Sequence, residues 1–483
     1  MKAIRNYGVD VISALFILLF VYAAFSKALD FETFQVQLGQ SPVIGTYAEF
    51  ISYGILIFEF IVALLLGLTR TRLLGFYGAL SLMIMFTVYI IIIMHFAPFT
   101  PCSCGGILDD MGWKEHLVFN VFFLLLSILA FIIYYKDIKL YAMILTLFLS
   151  FSIPILLYTI SETKYLDRGN FIRNYKWSLE MNKSYTLKNF NFYFIGYHDC
   201  KVYFGDTQAP LYVYLYDLEN DKWEEKKIIL DDYELPFRSV RIQINYPHFY
   251  VIDGTIPIVY QGKIDEWKAI RMHELFNDLY FSKSLITNNN LFVFRNLNSK
   301  TRKFTIGYQN LIDPNDRLIT TELFNEYDNV FEQDGILLYD SLLEQLIYVF
   351  YYLNHYVVIS PGLDQYTKEF TIVTNAENTF ETIRTGTKVQ LKSYIPIKNR
   401  LASVSGGKLI INSNELSQYD DPKDLKTHSI FDIYDYRTSK YFMSFKIPIS
   451  KYQVKDILST ENYFFSIIGN EFRIYELKHQ LAN

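Results

Sequence analysis

The sequence predicts a membrane α-helical bundle followed by an all-β extracytoplasmic domain, which we expect to be a six-bladed β-propeller. Residues 1–160 hold five apolar runs long enough to cross a bilayer, whereas the rest of the chain mixes aromatic, β-branched and polar residues in short alternating runs. A chain of 483 residues also exceeds the length of one ordinary domain. We expect a four-helix membrane segment over 1–135, a fifth membrane helix over 136–160, a linker over 161–180 and the β domain over 181–483.

The apolar runs lie at residues 9–28, 48–68, 73–95, 116–135 and 140–160. Each is close to the roughly 20 residues that a helix needs to span the hydrocarbon core of a bilayer. Because cytoplasmic loops carry an excess of basic residues, the N-terminus is predicted inside and the chain after residue 160 outside. In a bacterium this is an inner-membrane protein with a periplasmic C-terminal domain. The basic residues that set this orientation are Lys2, Arg5, Arg70, Arg72, Lys136 and Lys139.

The first and last runs each have a second interpretation. A basic start before an apolar run is also typical of a cleaved signal peptide, but this run continues into YAAFSKALDFETF without a clear cleavage site. We therefore predict an uncleaved span. The last run contains Pro154, which a membrane helix tolerates when neighbouring groups satisfy the freed carbonyl.

Composition and charge exclude two classes of protein. A net charge of -5 and an isoelectric point of about 6.0 leave no basic footprint, so nucleic acid is not an expected partner. Three cysteines in the whole chain cannot form a disulfide-stapled scaffold. Any role for cysteine must therefore be local chemistry.

Two of the three cysteines, Cys102 and Cys104, stand in the motif PCSCGG on the predicted outer side of the membrane. A disulfide between them closes a very small ring, and the resulting strain makes the bond easier to reduce. An imidazole nearby, such as that of His116, lowers the pKa of a thiol and favours exchange. Three alternatives remain open: a structural disulfide, a pair of free thiols, and a metal site completed by His95 and His116.

Polar residues inside membrane spans are costly and therefore indicate a function or a specific partner. Lys27 lies at the outer end of the first run, where its ammonium could simply extend to the lipid headgroups. Glu59 lies in the middle of GILIFEFIVALLLG, so it must be protonated, paired or turned towards a polar interior. Tyr89 falls at a similar depth and is one candidate partner for Glu59. Further candidates for the same interior are Asp10, His95 and Asn120.

The order AFSKALDFETFQVQLGQSP, FEFIVALLLGL, MFTVYIII, and PCSCGG followed by WKEHLVFN resembles the MauE/DoxX family of redox-associated membrane proteins, in the form found in Bacteroidetes. The resemblance covers residues 1–135 and implies a four-helix membrane segment. For the methylamine-utilisation branch it implies a link to methylamine metabolism, through formation of the disulfides of methylamine dehydrogenase. The fifth run and the large outside domain depart from the family pattern, so the client need not be that enzyme. The matching positions are Lys27, Ser41, Pro42, Glu59, Tyr89, Cys102, Cys104, His116 and Asn120.

From about residue 180 onward, aromatic and β-branched runs recur every 40 to 50 residues, which is about the spacing of propeller blades. Each repeat reads as strand, polar turn, strand, as in FYVIDGTIPIVYQGKIDEWKA. Gly406-Gly407 and Gly469-Asn470 are turn signals between such strands. About six blades fit the available length, and a pair of β-sandwiches is the alternative fold.

The third cysteine, Cys200, falls within the first apparent strand of this domain. We expect a buried and inert thiol there. The alternative is a resolving thiol for the membrane pair.

Two functional hypotheses follow. In the first, the protein is a membrane thiol-disulfide redox component whose Cys102 and Cys104 exchange electrons with an envelope client or a thioredoxin-like protein bound by the propeller. No motif demands a cofactor; a quinone in the helix bundle is one carrier that could serve, and the direction of electron flow is open. In the second, the protein is a non-catalytic membrane-anchored binding or assembly protein of an envelope complex, with the propeller as its working surface and the cysteines as a structural clasp. The supporting residues of the first hypothesis are Lys27, Glu59, Tyr89, His116 and Asn120.

Overall fold

The computed structural model describes residues 2–96, 112–133, 139–165, 168–175, 179, 181–232, 235–272, 280–373, 380–385, 388–392 and 395–477. The chain divides into two compact units, which are Met1–Asp167 with Thr379–Ile395, and Arg168–Asn378 with Pro396–Asn483. The first unit contains the long helices and one two-stranded hairpin, and the second contains the propeller.

The helices of the first unit are α1 (Lys2–Leu29), α2 (Phe31–Gly39), α3 (Ala48–Gly67), α4 (Arg72–His95), α5 (Trp113–Ile133) and α6 (Leu140–Tyr165). Among the described residues, five stretches are long and apolar enough to cross a membrane: Tyr7–Leu29, Ala48–Gly67, Arg72–His95, Trp113–Ile133 and Leu140–Ile160. These stretches confirm the five predicted spans, whose ends differ from them by at most three residues. Pro154 lies inside α6, which continues past it.

Large apolar side chains fill the space between these helices. Phe16, Phe20 and Phe76 are fully buried, and the ring centres of Phe16 and Phe20 lie 5.8 Å apart. Helices α3 and α4 approach closely at Gly75, where a Cβ atom would lie 2.7 Å from the backbone nitrogen of Leu66. Glycine is therefore required at the start of α4, because any larger residue would push the two helices apart.

The segment between α1 and α3 is folded, which the sequence did not indicate. It contains α2 and a 3-10 turn over Gly45–Tyr47. Phe34 and Leu38 of α2 are buried in the same core as the long helices. This short helix therefore adds a wall to the bundle beside the end of α1 and the start of α3.

The first strand of the chain is β1 (Met181–Thr186). Blade 1 consists of β2 (Phe192–His198), β3 (Lys201–Asp206), β4 (Tyr212–Asp217) and β5 (Lys222–Lys227). Blade 2 consists of β7 (Val240–Asn245), β8 (His248–Asp253), β9 (Ile258–Lys263) and β10 (Lys268–Arg271), with β6 (Ile229–Leu230) parallel to β10 at its edge. Blade 3 consists of β11 (Lys283–Ile286), β12 (Leu291–Leu297), β13 (Phe304–Asn310) and β14 (Arg317–Thr320).

Blade 4 consists of β15 (Gly335–Asp340), β16 (Gln345–Phe350), β17 (His355–Ile359) and β18 (Tyr366–Phe370). The hairpin of the first unit is formed by β19 (Thr382–Thr385) and β20 (Lys388–Leu391). Blade 5 consists of β21 (Asn399–Ser405), β22 (Lys408–Ser413), β23 (His428–Asp435) and β24 (Lys440–Pro448). Blade 6 consists of β25 (Val454–Ser459), β26 (Tyr463–Ile468) and β27 (Glu471–Glu476), and β1 completes it.

The six blades close into a ring. The innermost strands β2, β7, β11, β15, β21 and β25 each contact the next, and β25 contacts β2. The outermost strand of blade 6 is β1, which pairs antiparallel with β27 so that Tyr185 lies opposite Phe472. The predicted six-bladed propeller is therefore confirmed. The β-sandwich alternative is wrong, because six separate sheets surround one axis.

The predicted turn signals lie between consecutive strands. Gly406 and Gly407 join β21 to β22 with φ angles of 57° and 85°, and Gly469 joins β26 to β27 with a φ of 62°. Such positive angles cost glycine little, whereas a side chain would be strained there. The short runs read from the sequence thus correspond to real hairpins within blades.

The chain just before β1 is an integral part of the propeller. Arg173 is fully buried, and its guanidinium donates to Asp432 at 2.8 and 3.0 Å and to Asp420 at 2.6 Å. The hydroxyl of Tyr175 donates to the same Asp420 at 2.7 Å. The stretch 168–175, which the sequence assigned to a linker, is therefore held on blade 5 by a buried ion-pair network.

Candidate functional site

The cysteine pair lies outside the described residues. Cys102 and Cys104 belong to the stretch 97–111, so their exchange chemistry stays a prediction. The helices on both sides are described, and α4 ends at His95 while α5 begins at Trp113. Because successive spans alternate in direction, the end of α4 and the start of α5 lie at the same end of the bundle as the connection between α1 and α3.

The five supporting residues predicted from the sequence line one cavity within the first unit. Its volume is about 720 Å³, which is within the range of small-molecule sites. Apart from a few polar groups, its walls are apolar, and most of the side chains are Leu, Ile, Phe and Met. A cavity of this kind suits a largely apolar ligand that carries a few polar groups. The five residues are Lys27, Glu59, Tyr89, His116 and Asn120.

A buried ion pair joins α1 to α3 in the wall of this cavity. The ammonium of Lys27 donates to Glu59 Oε1 at 2.6 Å, and it lies 5.7 Å from the ring centre of Phe34. The Glu59 side chain is 1% exposed and that of Lys27 is 14% exposed. Of the alternatives that the sequence left open, Glu59 is therefore paired. The Lys27 side chain turns into the bundle instead of extending to the lipid headgroups. A charge-assisted hydrogen bond to the Glu59 carboxylate stabilises its ammonium more than partial hydration at the membrane surface would.

Tyr89 has a different partner from the one considered in the sequence. Its hydroxyl donates to Ser41 Oγ at 2.9 Å, and Ser41 is completely buried. Ser41 Oγ also accepts from the backbone nitrogen of Val43 at 3.3 Å. Tyr89 thus ties the end of α4 to the segment between α1 and α3. Its ring centre lies 6.4 Å from that of Trp113, which is the first residue of α5 and also lines the cavity.

His116 and Asn120 lie one turn apart on α5 and so share one face of that helix. Asn120 is 4% exposed, and the ring centre of His116 lies 6.3 Å from that of Trp113. Within the described residues, His116 Nδ1 and Glu59 Oε2 are buried atoms that have no hydrogen-bond partner. Buried polar atoms are nearly always satisfied, so both are candidates to bind a ligand.

One side of the cavity opens to the surface at Gly54 of α3. Gly54 lines the cavity and is itself exposed, and a Cβ atom added there would meet no atom within 4 Å. Phe50 and Phe58, one turn away on either side, are exposed as well. In a bilayer these side chains would face hydrocarbon, so the opening leads to the lipid phase.

Two residues that the sequence placed in the interior lie elsewhere. Asp10 forms an ion pair with Arg72 at 2.5 Å and is 57% exposed. His95 is exposed at the end of α4, with its Nδ1 3.3 Å from the carbonyl oxygen of Ile91. In the part of the chain that the structure describes, no group of three or more His, Cys, Asp or Glu residues is arranged to hold a metal ion.

The sequence indicated that Cys200 lies within a strand, but the structure places it in the turn between β2 and β3. It has a φ of 55° and is partly exposed. The hydroxyl of Tyr197 lies 3.9 Å from its sulfur. Partial burial raises the pKa of the Cys200 thiol, which lowers its thiolate fraction at neutral pH. Its role as a resolving thiol stays a prediction.

Four basic residues begin the innermost strands of the propeller. Arg241, Lys283, Arg400 and Lys455 occupy the first or second positions of β7, β11, β21 and β25. Since the innermost strands of a propeller run in the same direction, these positions lie at one end of the central channel. We refer to these four residues as the channel cations.

The channel cations contact uncharged groups on neighbouring blades. The guanidinium of Arg241 lies 4.7 Å from the ring centre of Tyr193, and Arg400 donates to the carbonyl oxygen of Val454 at 2.6 Å. Burial and the neighbouring guanidinium groups lower the pKa of Lys283. Burial likewise lowers the pKa of Lys455. Four basic side chains therefore lie at one mouth of the channel.

Sequence reasoning missed two residues that shape the cavity. Phe34 reaches it from α2, a helix that the sequence did not predict. Gly54 forms its opening, and the available signal was an isolated glycine within an apolar helical run. Such a glycine marks a position where another chain segment or a ligand approaches the backbone closely, or where the missing side chain leaves open space.

Residues 5–135 match the family model described as methylamine utilisation protein MauE. No curated protein matches the chain. Solved structures that resemble it include a nidogen/laminin complex (13% identity, 54% of this chain and 80% of that chain, TM-score 0.34), a member of the DUF4221 family from Bacteroides vulgatus (14%, 62% and 97%, 0.40) and streptogramin B lyase (11%, 61% and 96%, 0.37).

The matched stretch contains all but the first three residues of α1, all of α2 to α5, the cysteine pair and all five supporting residues. One further helix of membrane length and a closed ring of blades follow it. Residues 5–135 are therefore similar to the MauE family model, and in this chain they precede a fifth membrane-length helix and a six-bladed β-propeller.

Proposed function

We propose that this protein is a membrane thiol-disulfide redox component that exchanges electrons with an envelope protein through Cys102 and Cys104. The observation that supports this most strongly is the convergence of the five supporting residues on one cavity in the MauE-family segment. The helices that carry Tyr89 and His116 are the two that the cysteine stretch connects. The same two helices, α4 and α5, therefore join the cysteine stretch to the lining of the cavity.

The exchange reaction requires the cysteines to face an oxidising compartment. The distribution of basic residues favours a cytoplasmic N-terminus, an inner-membrane location and a periplasmic propeller. In the oxidising direction, a client thiolate attacks the Cys102–Cys104 disulfide and forms a mixed disulfide with one of these sulfurs. A second client thiolate then attacks the client sulfur, which leaves a client disulfide and two reduced cysteines. The small ring is a good acceptor because opening it relieves strain.

The propeller would bind the client and hold it near the membrane. The channel cations support a client with an acidic segment, because a cluster of positive charge at a concave mouth attracts carboxylates. The client could be a thioredoxin-like protein or a disulfide-rich enzyme, and the family link to methylamine metabolism makes a periplasmic dehydrogenase with many disulfides one candidate.

Replacement of Cys102 and Cys104 by serine, singly and together, tests the exchange. We expect each variant to abolish disulfide transfer, measured as the redox state of envelope proteins after thiol alkylation. Cys200→Ser is the matched control for the loss of a thiol, and it also tests the resolving role of Cys200. Full transfer by both single variants would contradict the proposal.

Trapping identifies the client. When a client disulfide is supplied, the Cys102 thiolate of a Cys104→Ser variant attacks it and forms a mixed disulfide. Because Cys104 is absent, this protein has no second thiol at the pair to release the client, so the mixed disulfide should accumulate. Truncation after residue 160 should abolish capture of the client but leave reaction with a small dithiol intact. If the cysteine variants are fully active and the truncation loses all function, the protein is instead a non-catalytic binding or assembly platform.

A further inference from the structure

We infer that the cavity between the membrane helices is a binding site for a lipid-soluble quinone, which exchanges electrons with the cysteine pair. This inference rests on the proposed thiol-disulfide function and names its membrane partner. It depends on four observations: the size of the cavity, its opening to the lipid phase, its aromatic walls and its two unpartnered polar atoms.

The size and the opening indicate a ligand that arrives through the bilayer. A volume of about 720 Å³ holds a substituted ring and part of an apolar tail. The opening at Gly54 lies between exposed phenylalanines, so an apolar molecule can enter from the lipid phase without crossing the polar ends of the helices. Flat aromatic side chains at the walls offer stacking surfaces to a ring. They are Phe20, Phe34, Phe86, Phe119, Tyr89 and Trp113.

The two unpartnered polar atoms indicate which polar groups the ring of the ligand carries. Glu59 Oε2 and His116 Nδ1 belong to different helices, are buried, and have no partner within the described residues. A quinol carries two hydroxyl groups at opposite edges of one ring, and each can donate to one of these atoms. Among the described residues that line the cavity, Lys27 is the only lysine or arginine. It is already bonded to Glu59, so the ion pair is neutral overall. A phospholipid phosphate would therefore find no free lysine or arginine among these residues.

The redox step balances without a further reactant. Two cysteine thiols lose two electrons and two protons and become one disulfide, while the quinone gains two electrons and two protons and becomes the quinol. Glu59 and His116 both line the cavity, and as titratable groups they would relay protons to the two quinone oxygens. Quinones accept electrons from dithiols, so this direction regenerates the oxidised cysteine pair after each client disulfide is made.

The test uses the full-length protein in phosphatidylcholine nanodiscs, with a benzoquinone that carries one isoprenoid unit as the probe. Trp113 lines the cavity, and quinones quench tryptophan fluorescence, so binding should appear as saturable quenching that Trp113→Phe removes. Gly54→Leu should weaken binding by about tenfold or more, because leucine fills open space in the cavity. Gly67→Leu is the matched control: it makes the same change in the same helix, outside the cavity lining, where the nearest neighbour of a Cβ is 4.0 Å away.

Two results would overturn the inference: quenching that does not saturate, or equal binding in Gly54→Leu and the unmodified protein. Displacement of the probe by anionic phospholipid but not by excess quinone would also overturn it, since the cavity would then be a lipid site. The double variant Cys102→Ser with Cys104→Ser separates the two proposals, because it should bind quinone normally but fail to reduce it. Normal quinone binding in a protein whose cysteines transfer no disulfides would support the quinone site and overturn the exchange function.

Discussion

At the scale of single residues, the pairing of Lys27 with Glu59 is the most consequential contact in the membrane segment. Removing one member of a buried ion pair leaves an uncompensated charge and typically costs about 3–5 kcal/mol. The two members are not equivalent, because the lysine lies near the end of its span and can extend to the surface, whereas the glutamate cannot.

We therefore expect Lys27→Met to lower the stability of the helical unit by about 3 kcal/mol, and Glu59→Gln by clearly less. The measurement is the midpoint of thermal unfolding in nanodiscs, followed by circular dichroism at a helical wavelength. The double variant should recover part of the loss, because neither charge then remains alone. A larger loss in Glu59→Gln than in Lys27→Met would refute this assignment.

Two buried groups in the propeller give opposite dependences on pH. Burial lowers the pKa of His355 from 6.5 to about 4, so the unfolded chain takes up a proton that the folded chain excludes, and stability falls as the pH drops below 6.5. Burial raises the pKa of Asp456 from 3.8 to about 6, so the folded chain takes up a proton first, and stability rises as the pH drops through 6. The two effects nearly cancel in the native protein.

Single variants should reveal the two effects separately. When the pH falls from 7 to 5, the free energy of unfolding of His355→Gln should rise by about 1 kcal/mol, because only the Asp456 effect remains. That of Asp456→Asn should fall by about 2 kcal/mol, because only the His355 effect remains. Urea unfolding of the full chain, followed by the fluorescence of Trp223 and Trp267, measures both changes. Identical pH profiles for the two variants would show that these groups do not control the response.

The site could be predicted only in part from its residues. Glu59 stood out because a carboxylate in the middle of a span requires a partner. Its partner could not be chosen, because Lys27 lies 32 positions earlier and Tyr89 was an equally reasonable choice by depth. Gly54 carries no chemistry of its own, so its importance became visible only when the space beside it was seen.

At the scale of elements, apolar length predicted the five spans well, because a bilayer imposes both composition and length on a helix. The same reasoning missed α2, which has nine residues and therefore too few turns for a clear periodic signal. In the propeller, alternation and glycine turns predicted strands but not their order. The pairing of β1 with β27 depends on contacts between distant parts of the chain, which local patterns do not contain.

The closing strand β1 should be a sensitive point of the propeller. Tyr185 packs against Phe472 and Trp223, and its hydroxyl bonds to Tyr216 and Asp221 at 2.6 Å each. Tyr185→Ala should therefore lower the free energy of unfolding by about 2–4 kcal/mol and expose β1 to protease. Tyr419→Ala is the control, since Tyr419 is 75% exposed. Equal protease resistance of the two variants would argue against closure through this strand.

At the scale of the whole molecule, the protein joins a bundle of membrane-length helices, in which residues 5–135 match the MauE family model, to a propeller. The two units differ in composition. Sequence composition revealed this division, because membrane helices and half-buried strands differ in both apolar content and period. The number of blades followed from repeat spacing, since each blade needs about the same length of chain. The contacts that hold the stretch 168–175 on blade 5 could not be predicted, because a single buried arginine has no signature in sequence.

The channel cations give a prediction for the assembled protein. Capture of a client by the full chain should weaken as salt rises, because exposed charge pairs are screened. Replacing Arg241 and Lys455 by glutamine should reduce the association rate and its dependence on salt. The control is the pair Lys222→Gln with Lys440→Gln, which removes equal charge from the outer strands β5 and β24. Surface plasmon resonance with a trapped client measures both rates, and an unchanged association rate would exclude this mouth as the docking point.

The way in which the ring closes also governs how the protein is made. Ser184 in the first strand and Glu471 in the last are hydrogen-bonded but 287 positions apart. During synthesis, the first strand therefore emerges long before its partner exists. It must stay unpaired while nearly all of the remaining chain is made. Chaperones that shield such a strand should thus raise the yield of functional protein.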